Sequence, residues 1–198
     1  KTPLLVSMDA EWGPSQRLSD VFAHPWNMTL GAIQDNSLVR EISKRMAEQN
    51  RALGIHYNFS PSVDVNNNSK NPIIGNRSFG EDPVNVYEKA KAYIQGHKDA
   101  GIFTSIKHFP GHGDTDKDSH KTLPIIKGDI NRLNSVELYP FKRLIEDGLA
   151  ESVMLAHLSV PALDEKYPSS LSYIIVYLWN IYSHTINPKT LSPKNSIF

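Results

Sequence analysis

Residues 107–120 read Lys-His-Phe-Pro-Gly-His-Gly-Asp-Thr-Asp-Lys-Asp-Ser-His, which places three His, three Asp and two Lys in fourteen positions. Imidazoles and carboxylates at that density can move protons, hold hydroxyls or ligate cations. Pro110, Gly111 and Gly113 exclude a helix and favour an irregular loop. The apolar run 102–106 just before it reads as a buried strand, so a rigid element delivers the titratable loop. Asp118 and His120 are separated by one residue and fall on the same side of an extended backbone. A carboxylate beside an imidazole fixes the ring's tautomer and makes it more basic, so the pair is a candidate proton shuttle near neutral pH.

Other chemistries fit this loop less well. Asp114, Asp116 and Asp118 imitate positions one, three and five of a calcium loop, but position six is Ser119 instead of Gly and position twelve is Ile125 instead of Glu. His108, His112, Asp118 and His120 could chemically hold a transition metal, yet their spacing matches no zinc signature. A second constellation is Asp9-Ala10-Glu11-Trp12-Gly13 with Arg17. There a strand-end carboxylate and a guanidinium could bind the hydroxyls of a polar ligand, with Trp12 offering a face to a sugar ring. In the third, Arg77 lies between Gly75 and Gly80, just ahead of the helix start Asp82-Pro83, and could reach a ligand.

These groups hang on a repeating frame. Four apolar runs, 4–8, 55–63, 102–106 and 153–155, precede Asp9, Asp64, Lys107 with His108, and His157. Helical patterns lie between them. Asp35 or Asn36 caps a helix with Leu38, Ile42, Met46 and Leu53 expected inside and Gly54 as its stop. Asp82 and Pro83 open another, with Val86, Ala90, Tyr93, Ile94 and His97 on one face and Gly101 at the end. Ser135 is expected to open a third, with Leu138, Phe141, Leu144 and Ile145 inside and Gly148 closing it. The alternation predicts an α/β fold with a parallel sheet. Polar residues at the strand ends suit the active face of a (β/α) barrel or of a doubly wound sheet, and periodicity does not choose between them. A full barrel needs eight units and about 250 residues, whereas four units are visible here.

The 198 residues suffice for one domain, and 21 acidic against 21 basic residues argue against nucleic acid as a partner. The absence of cysteine excludes disulfides and thiolate metal sites. No stretch is long and apolar enough to suggest a membrane span.

In order along the chain, these motifs resemble the catalytic barrel of glycoside hydrolase family 3, in its bacterial β-N-acetylglucosaminidase branch. The resemblance is carried by 107–124, which runs from Lys-His-Phe-Pro-Gly-His-Gly-Asp-Thr through Asp-Ser-His to Leu-Pro. Asp9 with Glu11 and Gly13, the Asn-Arg-Ser-Phe-Gly of 76–80, and Ala156-His157 follow the same order. It implies a (β/α)8 TIM-barrel type fold, present as a partial barrel of about four β/α units over residues 1–172. It also implies that Asp9, Arg17, Arg77, Lys107 and His108 hold N-acetylglucosamine, with His120 as acid/base and Asp118 as its orienting partner. The family removes terminal non-reducing N-acetylglucosamine with retention of configuration, often from cell-wall fragments. No metal or organic cofactor is implied, and relatives of this kind work in the bacterial cytoplasm or periplasm.

Retention requires a nucleophilic carboxylate, which this family supplies some way after a Ser-Leu-Ser segment. Residues 171–198 contain no Asp and no Glu, so the nucleophile is expected to be missing. Residues 173–198 read as a divergent tail, of the kind a reading-frame change or an early stop produces. Within it, 174–179 is an uncharged β-prone window without a partner strand. On its own such a chain is expected to be marginally stable and inactive. The rival readings are a non-catalytic sugar-binding protein, a related family 3 β-glucosidase or phosphorylase, and a metal-binding module.

Overall fold

The structure, a computed structural model, describes residues 4–117 and 122–186. Strand β1 (Ser7–Met8) pairs in parallel with β2 (Tyr57–Asn58), which pairs in parallel with β3 (Phe103–Thr104). After a break at Ser105 the chain resumes as β4 (Ile106–Phe109), parallel to β5 (Val153–Leu155). A parallel bridge between Ser62 and Lys107, with Val63 N–H donating to the Lys107 carbonyl at 2.8 Å, joins the two groups of strands. The result is a run of parallel strands in sequence order, which does not close among the described residues. This is the open arc expected of a partial barrel.

Helix α1 (Asn27–Gly31) is short, and α2 (Asn36–Ala52) follows with Asp35 as its cap, accepting from Ser37 N at 2.8 Å. The expected inner face of α2 needs correction. Met46 is buried, but Leu38 and Leu53 are 48% and 49% exposed, and the buried stripe is Val39, Ser43, Met46, Ala47 and Asn50. The cause lies on α3 (Pro83–Asp99). A Cβ at Gly96 would come within 2.3 Å of the Arg40 carbonyl oxygen, so the two helices cross almost backbone to backbone. Only small residues such as Ser43 and Ala47 fit that crossing, and the leucines are displaced to its flanks. Helix α3 itself follows the sequence pattern. Asp82 caps it, accepting from Asn85 N at 2.7 Å, and Val86, Ala90, Tyr93, Ile94 and His97 are all buried.

The helix expected to open at Ser135 starts instead at Tyr139, and Ser135 ends a separate, earlier helix. Helix α4 (Ile130–Ser135) is capped by Asp129 and ends at Ser135, and α5 (Tyr139–Glu146) starts afresh. Pro140 explains the break, since its ring would collide with the carbonyl four residues back in a continuous helix but is tolerated in a first turn. Leu138, Phe141, Leu144 and Ile145 are buried as expected.

Residues 174–179 are not a strand, because α6 (Tyr173–Ile186) covers them. The Ser172 hydroxyl accepts from Ile175 N at 3.2 Å, which caps this helix, while donating to Asp164 at 2.6 Å. Ile175 is fully buried and the Trp179 ring lies 6.4 Å from that of Phe109. Packing against the core therefore overrides the β preference of these residues. No helix among the described residues is long and apolar enough to cross a membrane.

Candidate functional site

The polar residues that follow the first three apolar runs meet in one network. Asp9 follows β1, Asp64 follows the bridge at Ser62, and Lys107 and His108 lie within β4. The Lys107 ammonium is buried and contacts Asp9 Oδ1 and Glu11 Oε1, each at 2.8 Å. Arg17, at the end of a 3-10 turn (Pro14–Gln16), donates to Asp9 Oδ2 at 3.0 Å from an exposed position. Arg77, closing a second such turn (Gly75–Arg77), grips Glu11 through Nε (3.0 Å) and Nη2 (2.8 Å). Its Nη2 also lies 3.1 Å from His108 Nε2, and His108 Nδ1 is 2.7 Å from Asp64 Oδ2. Asp9, Arg17, Arg77, Lys107 and His108 are thus brought into one continuous chain of contacts. The peptide bonds Ser60–Pro61, Lys107–His108 and Phe109–Pro110 are cis.

Burial would raise the Asp9 carboxyl, but the hydrogen bond and charge of Lys107, with Arg17, outweigh it and hold Asp9 below its ordinary value. Glu11 is similar: burial opposes ionisation, and Arg77 and Lys107 win. Asp64, wholly buried, is also held well below the usual carboxylate range, because His108, His112 and Ser62 overcome its desolvation. Burial alone would lower the Arg77 guanidinium, but Glu11 first, then Asp64 and Asp9, raise it instead. For His112 burial is decisive and pushes its imidazole down, with Asp64 only partly offsetting.

Two members of this chain, Glu11 and Asp64, were not among the residues expected to bind a ligand. Both carried a signal. Glu11 sits in the Asp9 constellation, and Asp64 ends the second apolar run just as Asp9 ends the first. Their burial, 1% and 0% exposed, marks them as groups that hold other site residues. Trp12 stacks on Trp26 with ring centroids 3.9 Å apart, so one of its faces is already covered. His157 stands apart from the network, its Nδ1 2.6 Å from Ser170 Oγ.

The loop after β4 is clamped at its base. Asn71 Oδ1 accepts from the backbone of Ile73 and Ile74, both at 2.9 Å, while Nδ2 donates to the carbonyls of His112 (2.8 Å) and Gly113 (3.0 Å). Gly113 packs so tightly that a Cβ there would lie 1.7 Å from the Val65 carbonyl oxygen. Asp118 and His120, the candidate acid/base pair, lie outside the described residues. Among the described residues, no group of three or more His, Asp or Glu is arranged to hold a metal ion.

Comparison with known proteins fits this architecture. The chain is 37% identical over 167 residues to β-hexosaminidase A of Pseudoalteromonas piscicida, covering 82% of this chain and 28% of that protein. It is 38% identical over 181 residues to the β-hexosaminidase LpqI of Mycobacterium tuberculosis (strain ATCC 25618 / H37Rv), covering 89% and 45%. Among solved structures, a glycoside hydrolase family 3 β-N-acetylglucosaminidase from Paenibacillus sp. str. FPU-7 superposes with a TM-score of 0.85 at 38% identity, over 96% of this chain and 39% of that one. The chain therefore spans less than half the length of these relatives. Its residues 1–178 match the N terminal domain of glycosyl hydrolase family 3, and the chain belongs to that family.

Proposed function

We propose that this domain recognises a terminal, non-reducing, β-linked N-acetylglucosamine and carries the acid/base half of a retaining glycosidase site. The relatives named above are β-hexosaminidases and a β-N-acetylglucosaminidase, which supports this sugar class. The observation that carries the reading is Asp9, a carboxylate one-third exposed and held ionised between Lys107 and Arg17 at the end of a parallel strand. An anchored carboxylate of this kind can accept from two adjacent sugar hydroxyls, while Arg17, Arg77 and His108 supply the facing polar groups. In this reading His120, oriented by Asp118, protonates the departing glycosidic oxygen while a nucleophilic carboxylate bonds to the anomeric carbon. It then takes a proton from the water that displaces that carboxylate and releases the sugar.

The nucleophile is the part these residues do not supply, since residues 171–198 lack any carboxylate. The 198-residue chain is therefore expected to bind the sugar without turning it over. Titration of the purified chain with N-acetylglucosamine, glucose and N-acetylgalactosamine by calorimetry should show selective binding of the first. Incubation with an aryl β-N-acetylglucosaminide should release no phenol. Equal response to all three sugars would sink the sugar assignment, and phenol release would sink the missing-nucleophile reading.

A further inference from the structure

We propose that Asp64 is the positioning residue of this pocket, fixing the tautomer of His108 and through it the placement of Arg77. The carboxylate is completely buried and can reach a ligand only through the residues it holds. Oδ1 accepts from His112 N (2.7 Å) and His108 N (3.2 Å), and Oδ2 from Ser62 Oγ (2.7 Å) and His108 Nδ1 (2.7 Å). A carboxylate with this many donors accepts only, so His108 Nδ1 carries the hydrogen. The other side of the ring gives the same answer independently. Arg77 Nη2 can only donate, so His108 Nε2, 3.1 Å away, must be the bare acceptor.

The described partners of Arg77, namely Glu11, His108 and the Ile73 carbonyl, take both Nη2 hydrogens, the Nε hydrogen and one on Nη1. One Nη1 hydrogen is left to meet a ligand, and its direction depends on Glu11 and His108 staying where they are. If the tautomer changed, a hydrogen on Nε2 would face the Nη2 hydrogen of Arg77 and drive the guanidinium off. Asp64→Asn should cause that change. With its amide nitrogen toward Ser62 and His108 it donates to Nδ1 and forces the hydrogen to Nε2. The opposite orientation sets an N–H against the backbone N–H of His112.

The proposal rests on the sugar reading only for the identity of the ligand. It is tested by long-range proton–nitrogen correlation spectra of the full ¹⁵N-labelled chain, with His108→Gln identifying the His108 signals. The wild type should show Nδ1 protonated and Nε2 bare. Arg77→Met should leave that tautomer in place, and Asp64→Asn should reverse it and weaken N-acetylglucosamine binding by about tenfold. A wild-type ring protonated at Nε2 would overturn the proposal, as would a tautomer that reverses in Arg77→Met. If Asp64→Asn fails to fold, the wild-type and Arg77→Met spectra decide. N-acetylglucosamine that leaves the wild-type His108 signals unmoved would count against the sugar reading while leaving the Asp64 assignment standing.

Discussion

His97 and His108 sit in two polar networks that the same strands and helices create, and both use both ring nitrogens. At His97 the partners are uncharged. The Ser43 hydroxyl donates to the Tyr93 carbonyl at 2.6 Å, so it accepts from His97 Nδ1 at 2.7 Å, and Asn58 Nδ2 donates to Nε2 at 2.9 Å. The Asn58 amide also pairs with both the N–H and the carbonyl of Ala10, at 2.9 and 3.0 Å, which pins the segment carrying Asp9 and Glu11. His108 has the same tautomer, but between an aspartate and an arginine and with partial exposure. The first network is closed, neutral and structural. The second is open on one side, built of ions, and is where a ligand can compete.

The comparison is broken most severely by Glu11→Ala, which leaves Lys107 with Asp9 alone and takes from the half-buried Arg77 guanidinium its one carboxylate. It should cost about 3–5 kcal/mol in urea unfolding, the usual penalty for leaving a buried charge unpaired. A loss under about 1 kcal/mol would mean that the ionic network carries little of the fold.

Acid should separate the two networks next. Burial pushes His97 down from its ordinary 6.5 to about 3, so the unfolded chain takes up a proton that the folded chain refuses throughout that window. Stability from His97 is complete above the ordinary value and is lost as pH falls toward 3, at about 1.4 kcal/mol per pH unit. Lowering the pH from 7 to 5 should therefore cost about 2 kcal/mol through His97, and His97→Gln should remove that share and leave what the buried His112 contributes in the same window. Asp9, Glu11 and Asp64, with depressed folded values, add their losses only at and below the ordinary carboxylate range.

Ser43→Ala sharpens the contrast at smaller scale. It removes the hydroxyl that sets the His97 tautomer and should cost about 1 kcal/mol, with sugar binding unchanged. Arg17→Ala is the mirror case. Its exposed ion pair is worth at most about 0.5 kcal/mol to the fold, yet its loss should weaken N-acetylglucosamine binding measurably in calorimetry. An Arg17 variant that binds the sugar normally would remove that residue from the pocket.

What the sequence made legible follows the range over which each signal acts. Asp82, Pro83 and the apolar face of α3 are local signals, and that helix forms where they point. The inner face of α2 could not be read from α2 itself, because Gly96, on another helix, decides how close the two backbones come. Pro140 was a readable stop inside an otherwise continuous pattern. The Ile and Tyr content of 173–179 points locally to a strand, and only packing against Phe109 and α5 makes it helical. In the site, strand-end placement was enough to bring together Asp9, Lys107 and His108. Glu11 and Asp64 carry the same positional signal, but their buried supporting role depends on a guanidinium and an imidazole arriving from residues 66 and 44 positions away.

The alternation of sign along the pocket has a further consequence. Arg17, Lys107 and Arg77 are equalled in number by Asp9, Glu11 and Asp64: Asp9 and Glu11 are shared among the three cations, and Asp64 holds His108. Seen from a distance these charges largely cancel, so the network presents strong local dipoles and almost no net field. Such a surface neither attracts nor repels mobile ions, and an uncharged ligand gains its directional hydrogen bonds without displacing a counterion cloud. Affinity for a neutral sugar should then hardly change between dilute buffer and molar salt, even though most of the groups that face it are ionic.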